Sequence, residues 1–105
     1  MKKPISDYDQ RQYRLMLEQI TGFESGRIIL GHLVGGLESL SAVLEERDAS
    51  WDLKFSQLWG ILDNAYANLV TKSLTNLSAK EQELVEDTVR QLKILVEAQL
   101  SEMPS

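Results

Sequence analysis

The residue types that perform most enzyme chemistry are scarce in this chain. His32 is the one histidine among 105 residues, and the absence of cysteine excludes disulfide bonds, thiolate metal sites and a cysteine nucleophile. A serine nucleophile would need His32 as its base, yet no G-x-S-x-G motif accompanies it. We therefore interpret His32 as a structural residue and expect no catalytic residue.

Motifs that hold phosphate groups or metal ions are also missing from the sequence. The stretch GHLVGG, residues 31–36, has no lysine and lies inside a helical pattern, whereas a phosphate-binding loop joins a strand to a helix. A carboxylate-bridged metal pair in a helical bundle needs two Glu-x-x-His motifs, and the sequence contains none. We expect no cofactor, no metal ion and no enzyme activity.

Carboxylates are concentrated in one short stretch, which we call the acidic junction. It contains Glu45, Glu46, Asp48 and Asp52. A structural interpretation is that the two aspartates favour the positive end of a following helix while the glutamates are simply solvated. The functional interpretation is a negative surface that accelerates encounter with a cationic protein.

A second candidate site lies further along, where Trp59, Asp63 and Tyr66 follow one another at helical spacing. We call these three residues the aromatic row. A tyrosine hydroxyl beside a carboxylate would satisfy a half-buried polar group, which is a structural role. Tryptophan and tyrosine are also the residue types enriched in interface hot spots, so the row is a candidate for binding a partner.

The elements that position these residues are amphipathic helices. The two prolines, Pro4 and Pro104, lie at the termini and interrupt no long helix between them. Apolar residues recur at i, i+3, i+4 and i+7, and no segment shows sustained alternation. The spacing predicts an all-α, four-helix, up-down-up-down bundle that forms one domain over residues 1–105. The four helices are expected at about residues 7–22, 28–46, 51–70 and 79–101.

The apolar stripes of these helices predict the core. The second stripe consists of Ile29, Leu30, Leu33, Val34, Leu37, Leu40 and Leu44. The third consists of Trp51, Phe55, Leu58, Leu62, Tyr66 and Leu69. The fourth consists of Leu84, Val85, Val89, Leu92, Leu95 and Val96.

Polar residues at the predicted helix starts are suited to capping. Asp7 or Ser6 could cap the first helix, and Asp48 or Ser50 the third. The sequence SAKE, residues 78–81, forms the S-x-x-E capping box of the fourth helix.

Three glycines of the second helix, Gly31, Gly35 and Gly36, fall outside its apolar stripe. Each costs roughly 1 kcal/mol relative to alanine in a helix interior. They are either tolerated surface residues or positions where another helix or a partner approaches closely.

Four apolar residues, Leu15, Leu53, Ile61 and Ile94, also lie off the main stripes of their helices. Single exposed apolar residues are normal in monomers, but several on one side of the molecule would form a partner or dimer face. These residues keep a homodimer open as an alternative.

Charge and hydropathy restrict the partners and the compartment. The net charge of -5 disfavours direct nucleic-acid binding, which depends on lysine and arginine, and favours a basic protein partner. The start MKKPISDYDQ has no apolar core of a signal peptide, and no later run approaches the roughly 18 apolar residues of a membrane span. With no cysteine present, we expect a cytoplasmic protein without a membrane partner.

The order of features resembles a known family. The matching features are Tyr13 to Ile20, Phe23, Gly26, Ile28, an apolar helix, Phe55, Leu58, Trp59, Asp63, Tyr66 and the sequence LSAKEQEL. In this order, from about Tyr13 to Leu100, the chain resembles the small helical immunity proteins of the colicin D type.

The resemblance implies a four-helix bacterial inhibitor that covers the basic, RNA-cleaving active site of a toxin nuclease domain. The acidic side chains that it implies for this contact are Glu45, Glu46, Asp48, Asp52 and Asp63. The alternative from another class is a self-associating structural or regulatory protein that acts as a homodimer.

Overall fold

The part of the chain that the structure describes has an all-α fold with four helices. The computed structural model of the chain describes residues 5–72 and 76–101, and within these ranges there is no strand. The helices are α1 (Asp7–Glu24), α2 (Leu30–Ala42), α3 (Ala49–Thr71) and α4 (Ala79–Ser101). The predicted all-α class with four helices is confirmed.

Each helix packs against two others. Helix α1 packs directly against α2 and α4, and α3 packs against the same two helices, while within the described residues the backbones of α1 and α3, and those of α2 and α4, do not approach each other closely. The buried apolar side chains between the helices form one continuous cluster. This cluster consists of Tyr13, Met16, Ile20, Leu30, Leu33, Val34, Leu37, Leu44, Trp51, Phe55, Leu62, Ala65, Val85, Val89, Leu92 and Val96.

Side chains cap three of the helices. The Ser6 Oγ atom accepts a hydrogen bond from the Asp9 backbone N–H at 3.1 Å. The Asp48 carboxylate accepts one from the Trp51 backbone N–H at 3.2 Å. At α4 the Ser78 Oγ accepts from the Glu81 N–H at 3.2 Å and donates to the Glu81 side chain at 3.0 Å. Ser6 and Asp48 are therefore the caps among the predicted alternatives.

Helix α2 is shorter than the predicted range of 28–46. Its first residue is Leu30 and its last is Ala42. At the N-terminal side, the backbone N–H groups of Arg27 and Ile28 donate to the Gly22 carbonyl oxygen in the preceding turn. At the C-terminal side, the N–H groups of Glu45 and Glu46 bond to a side chain of α1, so they are not part of the helical ladder.

Three residues assigned to apolar stripes, Ile29, Tyr66 and Leu84, are exposed, and their prediction as core residues was wrong. Ile29 is 74% exposed because it is the residue that precedes α2, where the chain has not yet entered the helix. Leu84 is 50% exposed because Val85 and Thr88 take the buried positions of that turn of α4.

The aromatic residues of α3 divide between the core and the surface. Trp51 and Phe55 are buried, and their rings stack with centroids 5.0 Å apart. The ring of Tyr13 meets Trp51 edge to face at 5.3 Å, a favourable geometry for aromatic pairs. Further along the helix, Trp59 is partly buried and Tyr66 is 37% exposed. The early part of α3 therefore contributes rings to the core, and the later part presents them near the surface.

None of the four helices, within the described residues, has the length and the apolar character needed to cross a membrane.

Candidate functional site

A buried carboxylate on α1 organises the acidic junction. Asp9 is only 2% exposed, and its Oδ1 and Oδ2 atoms accept hydrogen bonds from the backbone N–H groups of Glu45 at 2.8 Å and Glu46 at 3.1 Å. Hydrogen bonds to an ionised carboxylate are stronger than neutral ones, and this pair fixes two consecutive peptide groups. The segment between α2 and α3 is therefore attached to the first turns of α1.

The carboxylates of the acidic junction have different local roles. The Glu45 side chain is exposed and accepts a hydrogen bond from the Ser6 hydroxyl at 3.1 Å. Asp48 caps α3, and its carboxylate also accepts from the Ser50 hydroxyl at 2.6 Å. Asp52, in the first turn of α3, forms an ion pair with Arg47 at 3.5 Å.

Capping is therefore one role of Asp48, as the structural interpretation predicts. Glu45, Glu46 and Asp48 are exposed, and Asp52 is partly exposed. Their carboxylates remain accessible to a partner from solution.

The Tyr13 hydroxyl lies close enough to several carboxylates of the junction for their charges to affect its pKa. The side chain of Tyr13 is buried beneath the acidic junction, and the pKa of its hydroxyl is raised to about 12, mainly by burial, with the charges of Asp9, Asp48 and Asp52 acting in the same direction and Arg47 opposing them. Burial disfavours the phenolate, and nearby negative charges act in the same direction. Carboxylates from α1 and from the start of α3 therefore meet around one hydroxyl.

Sequence reasoning missed Asp9, the residue on which this arrangement depends. Asp9 shares a helix face with the core residues Tyr13, Met16 and Ile20, at the spacing i, i+4, i+7 and i+11. An aspartate on an otherwise apolar face is the signal that could have found it, because a buried carboxylate must find hydrogen-bond donors.

The aromatic row lies where α3 packs against α2. The Trp59 indole Nε1–H donates to the Val34 carbonyl oxygen at 2.9 Å. The Tyr66 ring covers Gly31, where an added Cβ atom would lie 2.6 Å from the ring Cε1 atom. Asp63, between the two rings along α3, is partly exposed.

The suggested bond between the Tyr66 hydroxyl and the Asp63 carboxylate is not formed. Within the described ranges, the Asp63 side chain forms no hydrogen bond or ion pair. The Tyr66 ring is turned towards the α2 backbone at Gly31, so its hydroxyl is directed away from its own helix.

The three glycines of α2 have different surroundings. Gly31 faces the Tyr66 ring, and Gly36 faces the Gln19 side chain, whose Oε1 atom would lie 2.9 Å from an added Cβ. Nothing lies within 4 Å of a Cβ added at Gly35. Close approach by another helix therefore explains Gly31 and Gly36, and Gly35 is a surface position.

The off-stripe apolar residues do not all share one face. Leu53 is 62% exposed and Ile94 is 61% exposed, and Ile94 lines a shallow groove of about 290 Å³ between α3 and α4. Leu15, 42% exposed, lies on α1, whose backbone does not approach that of α3 closely within the described residues. Ile61 is partly buried. Only Leu53 and Ile94 remain candidates for a common apolar surface.

An open cleft of about 780 Å³ lies where α1 ends and α4 begins. Apolar side chains such as Phe23, Leu69 and Val85 line it, together with the charged residues Glu86 and Arg90. In the part of the chain that the structure describes, no group of three or more histidine, aspartate or glutamate side chains could hold a metal ion, either here or elsewhere.

The structure thus brings the predicted site residues together in two groups. The acidic junction gathers Glu45, Glu46, Asp48 and Asp52 around Asp9 and Tyr13, and the aromatic row lies further along α3. Asp52 and Trp59 are seven residues apart, about 10 Å along the helix axis.

Comparison with protein-family models, with curated proteins and with solved structures finds no match to the chain. Any functional conclusion therefore depends on the geometry and the charges of the two sites.

Proposed function

We propose that the chain is a non-enzymatic binding domain that recognises a cationic protein through the acidic junction. In its specific form, the proposal is an immunity or antitoxin-like inhibitor that covers the basic active site of a bacterial nuclease toxin. The partner would approach Glu45, Glu46, Asp48 and Asp52, with the aromatic row as a second contact.

The observation that carries this proposal is the pair of hydrogen bonds that the buried Asp9 carboxylate accepts from the backbone N–H groups of Glu45 and Glu46. These two bonds hold the main chain through its N–H groups, so the side chains of Glu45 and Glu46 take no part in them and remain exposed. A partner that binds these carboxylates would not have to order the loop first. Such pre-organisation lowers the entropic cost of association.

Electrostatics supports a basic partner. The chain carries 16 acidic and 11 basic residues, and its net charge of -5 attracts cations over a range of roughly 10 Å at moderate salt. A concentrated negative surface accelerates encounter with a positive one and mainly affects the association rate.

The proposal includes an up-down-up-down bundle in the cytoplasm. The alternating direction is supported by contacts between helix ends. Asp9 near the start of α1 accepts a hydrogen bond from the loop after α2. Trp51 near the start of α3 donates to the Leu95 carbonyl oxygen near the end of α4. A cytoplasmic location is supported by the absence of cysteine.

The decisive experiment measures binding to the product of the adjacent gene, which this proposal expects to be a basic, RNA-cleaving domain. Isothermal titration calorimetry at low and at moderate salt would compare the wild type with Glu45→Gln/Glu46→Gln. Both substitutions spare the backbone bonds to Asp9 and remove two negative charges. We expect binding to weaken about tenfold or more at low salt, and less at moderate salt.

The matched control is Glu83→Gln/Glu86→Gln on the exposed surface of α4, which changes the net charge equally. It should weaken binding no more than about twofold, because long-range attraction alone is lost. Equal losses for both double variants would contradict a specific role of the acidic junction. An adjacent gene product that neither binds the chain nor cleaves RNA would contradict the toxin-inhibitor proposal.

A second candidate function, self-association, is favoured by the groove between α3 and α4. Leu53 and Ile94 are both more than 60% exposed, and Leu58 and Leu95 form the apolar part of the groove. Sedimentation of the wild type and of Ile94→Glu would test it. A homodimer on this face predicts a dimer that the substitution dissociates, whereas a monomeric wild type would contradict it.

A further inference from the structure

The aromatic row is ordered in a way that core packing does not require. Trp59, Asp63 and Tyr66 lie at i, i+4 and i+7, so they follow one another along the same face of α3. Unlike Trp51 and Phe55, they are not fully buried. Core packing alone therefore does not explain why these three residues follow one another on this face.

Both rings of the row are held by the backbone of α2. The Trp59 indole is fixed by its bond to the Val34 carbonyl oxygen, and the Tyr66 ring lies against Gly31, where no side chain intervenes. Val34 and Gly31 are three residues apart, so the two rings attach to adjacent positions on one helix. Each ring keeps a part of its surface accessible.

Between these rings, Asp63 is a partly buried carboxylate with no hydrogen bond or ion pair to another described residue. Gly35 follows Gly31 by one turn and adjoins Val34, and the space above it is open. The carboxylate therefore keeps its hydrogen-bonding capacity for another donor, and neither glycine contributes a side chain on this side of α2.

We propose that the aromatic row is a receptor for one arginine side chain of a protein partner. The guanidinium would form a charge-assisted bond with the Asp63 carboxylate and place its planar face against the exposed ring surface of Trp59 or Tyr66. Arginine combines both interactions, since it stacks on aromatic rings and forms bidentate bonds with carboxylates. The inference deepens the proposed function, because it supposes the same cationic partner.

Arginine fits this site better than lysine. An ammonium group is compact and strongly hydrated, so it loses more of its solvation when it leaves water for a partly buried position. A guanidinium is weakly hydrated and planar, which matches two immobilised rings with a carboxylate between them.

Nuclear magnetic resonance can test this on the free protein. The ring C–H signals of Trp59 and Tyr66 would be followed during titration with N-acetylarginine amide, and separately with the citrulline and lysine analogues at equal ionic strength. Citrulline has the shape of arginine without its charge. We expect arginine to shift both rings at least about threefold more than citrulline, with lysine between them. Trp51, 4% exposed, is the internal control and should not respond.

The variant Asp63→Asn should reduce the arginine response to the level of citrulline, while unchanged Trp51 signals would show that the fold is intact. Equal responses to arginine and citrulline, or an arginine response that survives in Asp63→Asn, would overturn the proposal.

The aromatic row and the acidic junction are distinguished by the variant Glu45→Gln/Glu46→Gln, which should leave the response of the rings to arginine intact. If that variant removes the response and Asp63→Asn does not, the cation binds at the acidic junction, which overturns the arginine receptor and leaves the proposed function standing.

Discussion

The acidic junction and the aromatic row are both organised by contacts within the chain itself, but by opposite means. At the junction the backbone is fixed, because buried Asp9 binds the N–H groups of Glu45 and Glu46 while their side chains extend into solvent. At the row the side chains are fixed, because a backbone carbonyl holds one ring and a glycine accommodates the other.

This difference has a consequence for how each surface tolerates change. Substituting the exposed glutamates leaves the fixing bonds of the junction in place, so its charge can vary without loss of the loop geometry. In the aromatic row the same rings that would contact a partner are also packed against α2, so a substitution of either ring changes both the surface and the packing. The geometry of the row depends on the size of residues in α2, above all on Gly31.

The largest effect is expected for Asp9→Ala. It removes the acceptor of two buried hydrogen bonds, and the free energy of unfolding should fall by about 2–4 kcal/mol. Urea denaturation measures this loss, and hydrogen exchange should show faster exchange of the Glu45 and Glu46 amides. Asp7→Ala is the matched control, an exposed aspartate in the first turn of the same helix, and should cost less than about 1 kcal/mol. Equal losses would mean that Asp9 acts only on the helix dipole.

A smaller effect, confined to alkaline pH, is expected from Tyr13. Its hydroxyl loses a proton near pH 10 when the chain is unfolded and near pH 12 when it is folded. Above pH 10 the unfolded state binds fewer protons, so the free energy of unfolding should fall between pH 10 and 12, by about 2–3 kcal/mol in total, and show no contribution from Tyr13 below pH 10.

Urea denaturation at a series of pH values would test the Tyr13 prediction. The variant Tyr13→Phe should lack this part of the decrease. Tyr66→Phe should retain it, because Tyr13 is still present in that variant. A decrease of the same size in Tyr13→Phe would contradict the assignment.

The smallest effects concern the glycines that distinguish the row. Gly35→Ala should raise the free energy of unfolding by roughly 0.5–1 kcal/mol, because alanine favours the helix and the space around this position is open. Gly31→Ala should raise the free energy of unfolding by less than Gly35→Ala or should lower it, since the new Cβ atom would displace the Tyr66 ring. Thermal denaturation of both variants, repeated with Tyr66→Ala, would isolate that contact. An equal gain for both glycines in the wild-type background would show that the ring is not held.

Much of the fold follows from local rules that the sequence displays. The all-α class with four helices follows from apolar residues at helical spacing, and the caps at Ser6 and Asp48 follow from residue types that accept free N–H groups. The burial of Trp51 and Phe55 follows from the same periodicity.

The early end of α2 and the anchor of the junction do not follow from such rules. The residues after Ala42 continue an apolar pattern that looks helical, and Leu44 is indeed buried. The helix ends because the amides of Glu45 and Glu46 bond to a carboxylate that lies 36 and 37 residues earlier in the chain. Periodicity describes neighbours along one helix and contains no information about such a distant partner.

For the aromatic row, the sequence indicated which residues lie on one helix face but not which contacts they form. The residue types of the row indicated an interface, but a hydroxyl bond within α3 was the wrong structural suggestion, since both rings attach to α2. The orientation of a tyrosine ring depends on which position of the facing helix lacks a side chain, and that pairing is known only once the two helices are placed together.

The long separation between Asp9 and the loop that it holds also sets an order of events during folding. Closing a segment of 36 residues is slower than forming a helix, so α1 must first return to the end of α2 before the junction acquires its shape. A truncated chain without its first helix would display the same glutamates on an untethered loop. The shape of the junction would then arise late in folding, as a property of the assembled molecule rather than of the segment that carries the charge.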